Sequence, residues 1–570
     1  MVRIRSVSDN FWELQVPQRM NKLVSRLKHA AIFIPLTFFA IIISWQYRPS
    51  AITADGHTYL QIARNIHYGI GLGWQALWAS PLHSMLIALI AYLPGANDLQ
   101  YATDIVSILM GGLLTVSLYF LATLLFDRKV GVMATIVVLS FPQIVDIHFS
   151  TEPEITYTAF LFASLALLVA TVRNNSYASA ILAGISFSLA YLSRSEGFLI
   201  MAVTLAVLCG TQGLRFYKTK LARLCLTIVL FFFIASSPYL HFLKKHYGAF
   251  TISPKATYVM IWMKSEVYHD NDKRELANDD LWGLTPEGKL KWQQPSGLSD
   301  LVKFLMSHPA KSLSVYLHNL ATELPGRIPN SSGNRRFPQV YPIYIAVLAL
   351  IAAFLRWGDD SSVKKAVVFS PLFILLILPV FTGGWSKYLL PYAPLLIIAA
   401  CGALSQVTEN LGACCNNPRL RRVIFAVPVT VMALLSVNFL SALAQKSPVP
   451  DTDEYRYRLK LAGYMRDAAL MARGKFGPGH NYMVNWNKMI YYLDGLWTPF
   501  PIADTLTDLL DFARRNNVDY IVRDLDDNEI DMPDSDLFRN TPPGLKLAGI
   551  YRSKDLNYAV SFYEVLESSK

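Results

Sequence analysis

Asp55, Glu152, Glu154, Arg194 and Lys387 are the side chains of this 570-residue chain best suited to chemistry. Each lies a few residues from the end of a long apolar run. Asp55 stands in Ile52-Thr-Ala-Asp55-Gly-His57-Thr-Tyr59, and the two glutamates in Thr151-Glu152-Pro153-Glu154. Arg194 stands in Ser193-Arg194-Ser195-Glu196-Gly197, and Lys387 in Trp385-Ser386-Lys387-Tyr388. A charge near a membrane exit costs far less than one at the bilayer centre and is a functional candidate by default. A carboxylate can take the proton of an attacking hydroxyl, and positioned cations stabilise charge growing on a departing phosphate. The combination suits transfer of a sugar from a lipid phosphate carrier at the outer membrane surface. Such a donor needs no nucleotide, in keeping with the missing phosphate-cradling glycine motif. Taken singly, each residue also reads as an interfacial anchor or half of an ion pair, such as Arg194 with Glu196. Asp55 alone also reads as the N-cap of a short helix. The layered set favours function.

The elements that must position these residues are membrane spans. The chain is 53% hydrophobic and 16% charged, well below the quarter charged that soluble domains carry. Apolar runs at 31–45, 101–126, 130–147, 155–172, 177–192, 197–210, 224–243, 341–355, 366–381, 388–404 and 423–443 predict about eleven spanning helices. The run 81–93 is short and proline-bounded, and predicts an interfacial helix on the outer side. Tyr59, Ile62, Ala63, Ile66 and Gly69 predict a second one, opened by Asp55. Arg128 and Lys129, Arg173, the 215–223 group, Arg356 with Lys364 and Lys365, and the 419–422 arginines fall on alternate loops. Together with the basic N-terminus they mark the cytoplasmic side. The net charge of +11 is therefore loop basicity, not a nucleic-acid footprint. This topology puts the N-terminus inside, the C-terminal tail outside, and all five chemical residues in one outer layer. The first apolar run reads as an uncleaved signal anchor.

Residues 1–443 read as a transmembrane catalytic domain with outer loops at 46–100 and 244–340, and residues 444–570 as a small extracytoplasmic α/β domain. In the second loop, 298–323 predicts one helix. In the tail, 506–517 predicts a helix, and 518–523, 545–551 and 558–565 predict strands. Tyr491, Tyr492 and Asp494 read equally well as packing residues. None of the five cysteines falls in the long hydrophilic segments, so no disulfide framework is implied. Gly69, Gly71 and Gly73, next to Trp74 and Trp78, read as an interfacial turn rather than a phosphate loop. Asp55, His57, His83 and Glu152 are candidate ligands for a divalent cation, although His57 also reads as an ordinary helix-surface histidine. No cofactor is required by the chemistry.

In these motifs and their order the sequence resembles the GT-C glycosyltransferases, in the branch holding protein O-mannosyltransferases and the lipid A aminoarabinose transferase. The likeness runs through Asp55…Tyr59…Ala63…Gly69, then Thr151-Glu152-Pro153-Glu154, Arg194-Ser195-Glu196-Gly197 and Lys387-Tyr388-Leu-Leu-Pro391, covering roughly residues 31–404. The resemblance implies a polyprenyl-phosphate-linked sugar as donor and an inverting single displacement. It implies Asp55 as base, Glu152 (with Glu154 as substitute) as the acid positioning acceptor or ion, and Arg194 and Lys387 on the carrier phosphate. Tyr59 and Tyr388 would line the substrate. Family members often carry Lys-Pro-Pro where this chain has Ser80-Pro81-Leu82-His83, so His83 or Lys387 must replace that phosphate-binding lysine. The acceptor is a glycan, lipid A, another lipid or a protein, and the setting a bacterial inner membrane. The alternatives are a protein O-glycosyltransferase, a secondary transporter or lipid-linked-sugar flippase, and a sugar-binding scaffold. Transporters commonly show internal repeats and place their charged sites near the midplane; neither feature is found here.

Overall fold

The computed structural model describes residues 54–77, 79–94, 98–140, 151–211, 219–248, 250–252, 284, 298–323, 343–355, 361–373, 390–413, 417, 426, 430, 453–484, 489–501, 503, 505–525, 542–552 and 559–566. The expected span at 31–45 lies outside them, as do that at 423–443 apart from 426 and 430, and Lys387 and Tyr388. The helices are α1 (Ala54–His67), α2 (Leu82–Ala91), α3 (Leu99–Leu125), α4 (Arg128–Ser140), α5 (Glu154–Asn174), α6 (Tyr177–Ser193), α7 (Glu196–Gly210), α8 (Lys220–Tyr247), α9 (Leu298–Ser307), α10 (Pro309–Glu323), α11 (Ile343–Phe354), α12 (Ser361–Phe369), α13 (Ala393–Ala413), α14 (Asp453–Phe476), α15 (Ile490–Leu493) and α16 (Leu506–Arg515). The strands are β1 (Asn481–Val484), β2 (Leu496–Pro499), β3 (Tyr520–Leu525), β4 (Leu545–Arg552) and β5 (Ala559–Val565).

Among the described residues, α3, α5, α8 and α13 are long and apolar enough to cross a membrane. The protein is an integral membrane protein. The helices α4, α6, α7, α11 and α12 lie where spans are expected and are shorter. Polar side chains inside the spans turn back onto their own helix. Thr115, Thr135 and Thr171 donate to the carbonyls of Gly111, Gly131 and Leu167 at 2.8 Å each, so these three hydroxyl protons are satisfied within their own helices. Pro238 sits inside α8. It cannot donate to the carbonyl of Ile234, and the neighbouring Ser237 hydroxyl does so at 2.8 Å.

Three expectations are corrected. The 298–323 stretch is two helices, because Pro309 disfavours helical backbone at His308 and starts a new helix itself. The span expected at 388–404 begins with a 3-10 turn at Leu390–Tyr392 and then runs on to Ala413. The tail adds α14 and two further strands, each only four residues long. Its sheet order is β2-β1-β3-β5-β4, with β1 parallel to β2 and β3, and β5 antiparallel to β3 and β4. Strand alternation gives this sheet two apolar faces. Tyr482, Val484 and Val522 meet Met465, Ala468, Ala469 and Ala472 of α14, while Met483 and Ile521 share a core with Leu509, Phe512 and Ala513 of α16.

The helices α5 and α6 form an antiparallel hairpin. Asn175, at φ 50°, ends α5, and the Ser176 hydroxyl accepts from the Ser179 amide to open α6. At the closed end of the hairpin Arg173 donates to the Leu124 carbonyl at the C-terminus of α3. At the other end lie Glu154 and Arg194. Helices α1 and α2 lie at this second end, joined by the Ser84 hydroxyl to the Tyr59 carbonyl at 2.8 Å. Between them the glycine turn is left-handed at Gly69, Gly71 and Gly73. Its first amides cap α1: Gly69 donates to Ile66 and Ile70 to Asn65. Those groups complete a helix end rather than cradle a phosphate. Tyr239 and Tyr247 of α8 donate to the carbonyls of Ala76 and Leu77 and hold the far side of the same loop.

Candidate active site

The site is assembled by three helix ends. Asp55 occupies the first turn of α1, one residue inside it, where the positive end of the helix dipole favours a carboxylate. It is therefore a first-turn acid and not the cap. Tyr59 follows one turn later on the same face and is buried. Glu152 and Glu154 lead into α5, half-buried and buried respectively, and Arg194 caps the end of α6. The phenol of Tyr59 gathers them electrostatically. Burial first, then the charge of Glu154, then those of Asp55 and Glu152, push its pKa well above 10, while Arg194 opposes. Four of the five expected chemical residues thus converge on one phenol; Lys387 lies outside the described residues.

Their roles differ. Arg194 and Glu154 are both 3% exposed. Arg194 reaches Glu154 at 2.5 Å and Glu196 at 3.0 Å, with its guanidinium 5.9 Å from the Tyr157 ring centroid. The ion pair expected with Glu196 therefore forms, and Glu154 is the more deeply buried partner. A guanidinium held by two carboxylates is an organiser of the cluster. Asp55 and Glu152, by contrast, keep partial access to water, as a proton acceptor and an acceptor-positioning group require.

His83 is wholly buried, its Nδ1 2.9 Å from the Thr156 hydroxyl and its ring edge-on to Tyr59. Burial lowers its pKa from 6.5 to about 4. At neutral pH it is an uncharged imidazole and brings no cation to replace the missing lysine. His57 faces away from the cluster, edge-on to Tyr491 and Tyr492 at 6.5 and 6.1 Å between ring centroids. Among the described residues no three His, Cys, Asp or Glu side chains are grouped to hold a metal ion. The candidate ligands Asp55, His57, His83 and Glu152 are not gathered into such a group.

Several site residues carry no sequence signal of their own. The hydroxyls of Tyr157 and Tyr392 are 2.9 Å apart, which brings the segment after Lys387 and Tyr388 to the cluster. Gln61, Arg64 and Asn65, polar residues of α1, are all three buried. Gln61 and Arg64 bond to the tail, which approaches α1 through α15, and Asn65 donates to Gln75.

The profile of the dolichyl-phosphate-mannose-protein mannosyltransferase family matches residues 79–239, which carry α2, the hairpin and Arg194. Among solved structures the chain is similar to an oligosaccharyltransferase, AglB of Archaeoglobus fulgidus, in complex with an inhibitory peptide and a dolichol-phosphate. The TM-score is 0.54 and the identity 14%, over 86% of this chain and 69% of that one. It is also similar to ArnT of Cupriavidus metallidurans bound to undecaprenyl phosphate, at TM-score 0.53 and 12% identity, over 93% and 97%. The chain has the GT-C glycosyltransferase fold. The apo form of ArnT matches at TM-score 0.51 and 13% identity. No curated protein matches the chain by sequence. The GT-C fold accounts for both halves of the architecture, the helix bundle and the small sheet domain near the C-terminus.

Proposed function

We propose that the protein transfers a sugar from a polyprenyl-phosphate carrier to an acceptor hydroxyl at the outer face of a bacterial inner membrane, with inversion in a single displacement. The observation that carries this reading is that Asp55 and Tyr59 of α1 are joined through His83, edge-on to Tyr59 and 2.9 Å from the Thr156 hydroxyl, to the end of α5 where Glu152 and Glu154 stand and where Arg194 pairs with Glu154. Asp55 acts as the base that takes the proton of the attacking hydroxyl. Glu152 positions the acceptor beside it. Lys387, a few residues before the buried Tyr392, contacts the departing phosphate, a role that Arg194 serves from behind the acids. Tyr59 and Tyr388 line the substrate. The acceptor is a cell-envelope glycan, lipid A or a protein, and the carrier chain lies between helices, so that only its head group enters the layer of charges.

Purified protein, a radiolabelled polyprenyl-phosphate sugar and a membrane extract test the reading. Labelled sugar should leave the carrier, and Asp55→Asn should reduce the rate by roughly 100-fold or more while the donor still binds. Full activity in that variant sinks the assignment of the base. Movement of intact labelled carrier across proteoliposomes, without transfer, would sink the enzyme reading in favour of a flippase.

A further inference from the structure

We propose that the C-terminal sheet domain positions the catalytic helix, and that Arg64 and Asp494 are the positioning residues through which it does so. This rests on the transferase reading in one respect, that α1 carries the base.

Arg64 lies on α1 nine residues after Asp55, about 13 Å along a continuous helix. It is buried, and a buried guanidinium must find partners or be expelled. All those it finds belong to the tail. One terminal nitrogen donates to the carbonyl of Ile490 at 3.1 Å and the other to that of Tyr491 at 2.5 Å. These carbonyls belong to α15, a single turn whose last carbonyls have no partner within the helix. The planar fork of arginine caps both at once from two nitrogens in a fixed geometry, which a single flexible ammonium does not reproduce. The second nitrogen also pairs with Asp494 at 3.4 Å. Asp494 ends α15 in a left-handed conformation, φ 56°, which turns the chain into β2. Its other oxygen takes Arg473 of α14 at 3.2 Å. The sheet domain's long helix is thus linked through one carboxylate to the helix of the proposed base.

Three further ties flank this link. Gln61 donates to the Gly495 carbonyl at 3.1 Å. A Cβ at Gly495 would come 2.4 Å from the His480 carbonyl, so the close turn needs glycine. Trp74 donates to the Trp497 carbonyl at 2.8 Å. The Tyr491 hydroxyl donates to Asp98, whose carboxylate also caps α3. The hydrogen bonds and ion pair hold the C-terminal half of α1, and the rings of Tyr491 and Tyr492 meet His57 two residues from Asp55. A helix held in this way aims the base, and a misplacement of about 1 Å at a reacting centre can cost 100-fold in rate.

The test compares Asp494→Asn, Arg64→Lys and Arg473→Gln with the wild-type protein in detergent, by steady-state transfer and by hydrogen exchange of peptides covering 54–67. Asp494→Asn and Arg64→Lys should lower kcat about tenfold with donor KM within about twofold, and speed exchange in 54–67 about tenfold. Arg473→Gln removes only the exposed leg of the link, keeps the fold, and should lower kcat about twofold to threefold. Unchanged exchange in 54–67 and unchanged kcat in Asp494→Asn overturn the proposal. So does a loss of activity that disappears when rates are normalised to folded protein. If the wild type transfers no sugar, the transferase reading fails, and the exchange measurement alone decides whether the domain holds α1.

Discussion

In a Glu154→Ala variant Arg194 would keep Glu196 at 3.0 Å and the Tyr157 ring, but lose its most buried partner. Removing one member of a buried ion pair costs roughly 3–5 kcal/mol, because a desolvated charge is left uncompensated. The surviving bond to Glu196 holds the loss to the lower end, about 3 kcal/mol. In the mirror experiment, Glu196→Ala, the buried pair survives. The lost side chain is 16% exposed, so water replaces part of it and the cost should be about 1 kcal/mol. The two variants should differ by about 2 kcal/mol, roughly 30-fold in the unfolding equilibrium. Denaturant titration in detergent, followed by tryptophan fluorescence at equal slope, measures the difference as a shift of midpoint. Asp55→Asn and Glu152→Gln, at half-buried positions, should leave that midpoint within about 0.5 kcal/mol of wild type while lowering transfer. A Glu196→Ala midpoint as low as that of Glu154→Ala would refute the assignment of Glu154 as the structural acid. A wild-type midpoint in Glu154→Ala would do the same.

Two further predictions concern the frame. Because the folded pKa of His83 is about 4, the unfolded chain takes a proton as pH falls through 6.5 and the folded chain does not until near 4. Stability should therefore fall by about 3 kcal/mol over that window and be unaffected by this group above it; the pH profile of the denaturation midpoint should flatten there in His83→Gln. Gly184→Ala would set a Cβ 2.4 Å from the Ile228 carbonyl where α6 crosses α8, whereas a Cβ at Gly112 meets nothing within 4 Å. The first substitution should cost about 1–3 kcal/mol and Gly112→Ala should be near neutral in the same titration.

The spans and the layer of charges were legible because the bilayer imposes length and charge rules that act along the chain. Asp55, Tyr59, Glu152, Glu154 and Arg194 could be grouped from their places at run ends, before any contact was known. Their division of labour could not. Glu152 and Glu154 are two residues apart and chemically alike, and only the packing of α5 against α6 buries one and leaves the other half-open. The polar residues of α1 gave no signal for a related reason. Nothing local marks Gln61 and Arg64 as buried, because the carbonyls they meet are more than four hundred residues away in sequence, on a turn too short to announce itself. Strands β1 and β2 are four residues each, below the length at which alternation can be read. The two helices at 298–323 were readable in principle, since Pro309 marks the break.

The α5–α6 hairpin has a consequence for how its helices come into register. Its two helices are joined by a two-residue turn at 175–176, and its open end closes when residues 154 and 194 come level. A slip of one turn between the helices would move those residues about 5 Å apart, leaving Glu154 without its buried partner and Arg194 with Glu196 alone. The same contact that orders the site therefore also fixes the register of the hairpin, because only the native alignment gives Glu154 its arginine.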